Sequence, residues 1–185
     1  MPRLFRSLTP LVLGIPRLVL ALGAVALLAA GAAAGLQLRI NWTASVPLGL
    51  YQLRPLTRLE RGALVVTCLP VHTALRGKAR DYLLAGDCRG GVTPILKPIF
   101  ALPGDTVVVR PEGVERNGVL VPDTAPRTTD RHGRPLSPLF GHHKVAPGRV
   151  WVLSSYDPDS WDSRYYGPLH LADLTSGAQP LLVSR

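Results

Sequence analysis

Cysteine is scarce in this chain: Cys68 and Cys88 are the only two among 185 residues. That is too few for a disulfide-rich scaffold, and with no histidine at ligand spacing they make a poor zinc site. Lysine is scarce beside arginine, with Lys78, Lys97 and Lys144 the only three of 21 basic residues. Acidic residues are absent before Glu60. No Gly-x-Ser-x-Gly elbow occurs, which removes the usual hydrolase signature for an activated serine. There is no internal repeat, no interior linker and no low-complexity tract outside one Ala-rich run.

What is abundant is unevenly placed. Hydrophobic residues make up 46% of the chain, and residues 18–38 carry no charge at all. At about 1.5 Å of rise per residue, such a helix spans roughly 30 Å, the thickness of a bilayer's hydrocarbon core. Arg3, Arg6 and Arg17 precede the run and Arg39 follows it. The positive-inside rule then predicts a cytoplasmic tail over 1–17, a membrane helix over 18–38 and an exterior domain over 39–185. A cleaved secretory signal is the alternative, since the run ends in small residues. It is, however, longer than the roughly 7–15 apolar residues of a signal core. Leu11–Ile15 is a second apolar stretch, too short to span and ended by Pro16.

The formal net charge is +9. The basic residues are scattered, and the domain is predicted to face away from the cytoplasm. Both features argue against nucleic acid and favour contact with anionic lipid head groups. In an oxidising exterior, two cysteines suggest one disulfide closing a loop of about 20 residues; two reduced buried thiols are the alternative.

Pro and Gly number 18 each and are dispersed as turn punctuation. Between them, short β-favouring runs recur at 63–67, 95–102, 106–110, 119–121 and 150–154. The pattern predicts a mainly β domain. Asn117-Gly118 is a hairpin signal. Residues 72–93 and 123–148 read as surface excursions.

Ser45 lies seven residues beyond Leu38, within NWTASVPLGLY. A serine needs a base to become a nucleophile. His72, His132, His142, His143 and His170 form no recognisable triad pattern, and the adjacent His142 and His143 read as loop residues. Lys78 and Lys144 sit in polar segments. Lys97 alone lies in an apolar, strand-like run, TPILKPIFALPGD, where burial would lower its pKa and free its lone pair. A solvent-facing Lys97 on a half-buried strand is the alternative. A third polar stretch, SSYDPDSWDSRYYGP, holds Asp157, Asp159, Ser160, Asp162, Ser163 and Arg164. It reads either as a solvated turn or as a shell around the lysine.

Three motifs in this order behind an apolar helix resemble the signal peptidase family of membrane-bound Ser/Lys endopeptidases. They are Ser45-Val46-Pro47, Lys97 followed by Pro103-Gly104-Asp105, and Ser160-Trp161-Asp162-Ser163-Arg164-Tyr165-Tyr166-Gly167. The resemblance runs from about residue 18 to residue 175. It implies a signal-peptidase-like β-rich fold, Ser45 as nucleophile, Lys97 as general base and no cofactor or metal. It also implies Thr43 at the oxyanion and Ser160, Asp162 and Arg164 as support. Val46 and Pro98 depart from the general leader peptidase pattern. Pro47-Leu48-Gly49-Leu50-Tyr51 and the placement of Cys68 and Cys88 instead resemble the TraF-type conjugative transfer branch. That branch implies a membrane-embedded, pilin-like precursor as partner, with the catalytic domain on the periplasmic side of a bacterial inner membrane. A general signal peptidase and a non-catalytic, membrane-anchored secretion component are the alternatives. The roles of Asp157 and Asp159 stay open.

Overall fold

The computed structural model describes residues 17–184, and the chain divides into two compact units after Leu36. The first contains one helix, α1 (Arg17–Gly35), of 19 residues. The predicted span ended at 38, but the helix stops at Gly35, Gln37 takes a left-handed φ of 51°, and Leu38 already opens a strand. Among the described residues no helix is long and apolar enough to cross a membrane. The predicted tail ahead of Arg17, with Leu11–Ile15, lies outside the described residues.

The second unit is mainly β. Its strands are β1 (Leu38–Asn41), β2 (Gly49–Arg54), β3 (Leu64–Thr67), β4 (Ile95–Ala101), β5 (Thr106–Arg110) and β6 (Gly113–Arg116), followed by β7 (Val119–Val121), β8 (Gly141–Lys144), β9 (Arg149–Val152), β10 (Leu169–His170) and β11 (Leu174–Val183). They form a seven-stranded sheet, β1-β2-β11-β3-β4-β9-β10, and a four-stranded sheet, β7-β6-β5-β8. The pairing is antiparallel throughout, as short strands joined by tight turns allow. At the Asn117-Gly118 hairpin, φ is +52° and +81°, the two positive values a two-residue type I′ turn needs. Arg116 and Val119 close the pair.

Two apolar clusters make the core. One gathers Val65, Leu69, Val92, Ile99, Val152 and Leu169 among others. The other gathers Phe100, Val107, Val109, Val114, Trp151 and Leu153 among others. Strand β4 contributes to both, Ile99 to the first and Phe100 and Ala101 to the second.

The two predicted excursions are more ordered than their composition suggests. Residues 72–93 contain most of α2 (Val71–Ala79), which buries Thr73, Ala74 and Gly77. Residues 123–148 contain β8, so His142 and His143 are strand residues and not loop residues, paired with Val108 and Val107 of β5. Cys68 and Cys88 form a disulfide, and Cys88 is buried in the first core cluster. The bond closes a loop across a sequence separation of 20. Chain entropy assigns such a loop about 3 kcal/mol. Replacing both cysteines by serine should lower Tm by roughly 6–12 °C at 2–4 °C per kcal/mol. An unchanged melt would mean that the packing of α2 alone holds the loop.

Candidate active site

Ser45 sits midway along a seven-residue loop, 42–48, that joins β1 to β2. The sequence around it specifies this loop. Gly49 has φ +142°, and a Cβ there would come within 2.1 Å of the Leu182 carbonyl on β11, so only glycine fits. Tyr51, 1% exposed, donates its hydroxyl to the Pro47 carbonyl at 2.6 Å. The Pro-Leu-Gly-Leu-Tyr stretch is thus a backbone requirement and an anchor for the loop's return leg.

Lys97 lies on β4 opposite Val65 of β3. By the two-residue period of a strand it shares a face with Ile95 and Ile99, which pack in or against the first core cluster. Lys97 is 3% exposed, whereas Lys78 and Lys144 are exposed. Its Nζ lies 2.5 Å from Ser45 Oγ and 2.5 Å from Ser160 Oγ. Burial pushes the ammonium down from 10.5 to about 8; the Asp162 carboxylate pulls against that shift and the Arg164 guanidinium adds to it. At that value a useful fraction of the amine is neutral near physiological pH, and its lone pair can accept the Ser45 proton.

The Ser160 segment is held from behind. Asp162 and Arg164 are both fully buried and pair at 2.7 Å. Asp162 also caps α3 (Ser163–Tyr166) by accepting the Arg164 N–H, and it accepts the Ser154 N–H at 3.2 Å. The Arg164 guanidinium donates to the carbonyls of Thr124, Ala125, Ser154 and Ser160. Ser154, itself buried, donates its hydroxyl to the Ser45 carbonyl. The ion pair therefore reaches both Lys97, through Ser160, and Ser45, through Ser154.

A cleft of about 560 Å³ opens over Ser45 and Lys97. Ile40, Trp42 and Leu84 contribute apolar lining, while Asp157, Asp159 and Arg131 contribute charge. Asp157 and Asp159 pair with Arg131 at 3.1 and 2.7 Å, and Asp159 also pairs with Arg127 at 2.6 Å. These acids belong to the cleft lining and have their own arginine partners, though the Asp157 carboxylate also acts on Lys97 and Arg164 through its charge. Thr43 is exposed, and its hydroxyl donates to Asn41 Oδ1 at 2.8 Å. Among the described residues no group of three or more His, Cys, Asp or Glu could hold a metal ion.

Sequence reading missed Asn41, Tyr51 and Ser154. Asn41 carried a usable signal, since an Asn two residues before a Thr at a strand end often folds back on its own backbone. Ser154 carried none, because its contact spans 109 residues.

The sequence pattern described as signal peptidase, peptidase S26, matches residues 12–182. A plasmid transfer protein TraF of Escherichia coli is 36% identical over 162 residues, covering 86% of this chain and 89% of that one. A probable conjugal transfer protein TraF of Sinorhizobium fredii is 38% identical over 177 residues, covering 94% of this chain and 89% of that one. A crystal structure of a signal peptidase I from Enterococcus faecalis aligns at a TM-score of 0.38 and 19% identity, over 65% of this chain and 97% of that one. That likeness is too slight to add anything. The family pattern spans all three motifs and the relatives match along most of their own length, so the chain belongs to the signal peptidase family, peptidase S26.

Proposed function

We propose that this chain is a membrane-anchored serine endopeptidase with a Ser45/Lys97 dyad that matures a conjugative pilin precursor. The observation that carries the reading is the buried Lys97 amine 2.5 Å from Ser45 Oγ. Neutral Lys97 takes the Ser45 proton as Oγ attacks the scissile carbonyl. The Ser45 N–H and the Thr43 hydroxyl, once turned away from Asn41, hold the oxyanion; such donors are worth roughly 3–4 kcal/mol each. The Lys97 ammonium then protonates the leaving amine, and Ser45 is left acylated. Water entering through neutral Lys97 releases a linear product; attack by the substrate's own amino terminus releases a ring.

The membrane and substrate assignments rest on further support. The uncharged run 18–38 between arginines favours an anchor, with residues 39–185 on the periplasmic side of the inner membrane. The relatives' names, plasmid and conjugal transfer protein, favour a transfer role. A nucleophile seven residues past the end of that run suits a precursor that is itself in the membrane.

Mass spectrometry of a pilin-like precursor co-expressed with wild type or with Ser45→Ala tests the reading. Trimming by the wild type alone is the expected result. A product lighter by one further water is a ring. Intact precursor in both samples would move the reading to general signal peptidase substrates, and equal trimming in both would remove Ser45 from the chemistry.

A further inference from the structure

The nucleophile's loop has an unusual means of support. Among the described residues, no backbone–backbone hydrogen bond of good geometry reaches any of residues 42–47. A seven-residue hairpin loop in that position would ordinarily sample many conformations, and a nucleophile displaced by about 1 Å can lose about 10²-fold in rate. Here side chains replace the missing backbone bonds, and most of the replacement comes from Asn41.

Asn41 is the last residue of β1, paired with Gly49, and is 9% exposed. Its Nδ2 lies 2.8 Å from the Thr43 carbonyl, 3.2 Å from that of Val46 and 3.1 Å from that of Pro47. Two N–H donors are thus shared among three carbonyls that flank Ser45 on both sides. Its Oδ1 accepts the Thr43 N–H at 3.2 Å and the Thr43 hydroxyl at 2.8 Å. One amide therefore ties both legs of the loop to the end of a strand. The carbonyl of Ser45 itself, which Asn41 does not reach, is taken by Ser154.

We propose that Asn41 is the positioning residue of the nucleophile: its side-chain amide fixes loop 42–48 so that Ser45 Oγ meets Lys97. Asn41 touches neither the Ser45 side chain nor Lys97, and it acts through the loop's backbone. The role rests on the Ser45/Lys97 reading above. Because the Thr43 hydroxyl is bound to the same amide, Asn41 also sets where that hydroxyl points between turnovers. Asparagine suits the place because it supplies donors and an acceptor from a short arm. Aspartate keeps the acceptor and the shape but loses both donors. Glutamine is one methylene too long for the same span.

The test uses full-length wild type, Asn41→Ala and Asn41→Asp in detergent micelles, with the precursor that the wild type trims. Asn41→Ala should lower kcat about 100-fold with KM changed less than about threefold, because the loop that carries Ser45 is misplaced while the cleft's other walls, at Leu84 and at Asp157 and Asp159, keep their place. The pH midpoint should stay near 8, since the shell around Lys97 is untouched. Asn41→Asp should lose activity to a similar degree. Hydrogen exchange read by mass spectrometry should quicken at least about tenfold over residues 42–48 and stay unchanged over α2 and the four-stranded sheet. A kcat within twofold of wild type, or exchange quickened throughout the domain, would overturn the assignment. If the wild type leaves the precursor uncut, the substrate reading has failed, and the exchange pattern alone decides whether Asn41 holds the loop.

Discussion

Lys97→Arg should abolish cleavage, lowering kcat by at least about 10⁴-fold, the scale on which serine peptidases lose rate when a member of the catalytic group is removed. Arginine keeps its charge at every accessible pH and has no lone pair to offer Ser45. In the wild type, activity should rise with pH, because the active form of Lys97 is the deprotonated one. With Lys97 lowered from 10.5 to about 8, the neutral fraction grows about tenfold between pH 7 and pH 9 and then levels off. The same shift has a stability consequence of defined sign. Between about 8 and 10.5 the folded state binds fewer protons at Lys97 than the unfolded state does, so stability rises with pH across that window. Below pH 8 the buried ammonium is a standing cost of about 3 kcal/mol at 1.36 kcal/mol per pKa unit. Lys97→Met should therefore be inactive yet more stable at pH 7 by about 1–3 kcal/mol, since methionine keeps the volume but loses the bonds to Ser45 and Ser160. A melt of Lys97→Met at pH 7 at or below wild type, or an active Lys97→Arg with an unchanged pH profile, would sink the assignment.

The residues that were legible in the sequence are those whose chemistry clashes with their surroundings. Lys97 stood out because a charge inside an apolar run has to be explained, and the structure places it against Ser45. Strands β5 and β7 were read at their observed limits because valine runs between turn residues leave little choice. Strands β2 and β11 were not read. GLYQLR and LTSGAQPLLV mix glycine, glutamine and proline with apolar residues, and their strand geometry comes from pairing with each other across the sheet. Helix α2 was hidden in a polar excursion because its apolar face is narrow: Thr73, Ala74 and Gly77 are small and carry little hydrophobic signal. Ser154 and Asn41 escaped assignment as site residues for a different reason, although Asn41 carried the local signal of a side chain that folds back on its own backbone. Each acts on the backbone of the nucleophile loop, and backbone acceptors have no sequence signature.

The Asp162–Arg164 pair carries the second large effect, and its two members should act on Lys97 with opposite signs. Both side chains are fully buried, so removing one leaves the other charged in a dry site, a loss of about 3–5 kcal/mol. For a domain of this size that is a fall in Tm of roughly 6–20 °C. Arg164→Met should be the more damaging, because four carbonyls lose their donor together with the carboxylate. Asp162→Asn should be milder, since its one amide oxygen still stands in for one carboxylate oxygen and accepts either the helix-capping Arg164 N–H, now on Oδ1, or the Ser154 N–H, now on Oδ2. The catalytic readout separates the two. Asp162 raises the Lys97 pKa and Arg164 lowers it. In Asp162→Asn the positive guanidinium remains without its partner, the Lys97 ammonium is further disfavoured, and the pH midpoint should move below about 8. In Arg164→Met the unpaired carboxylate favours the ammonium, and the midpoint should move above it. Rate profiles from pH 6 to 10 on whatever fraction of each variant folds would read the shifts, because a midpoint does not depend on the amount of active enzyme. Midpoints that move together, or that stay at the wild-type value, would confine the pair to holding the fold; midpoints that part would show that a buried ion pair sets the basicity of the lysine.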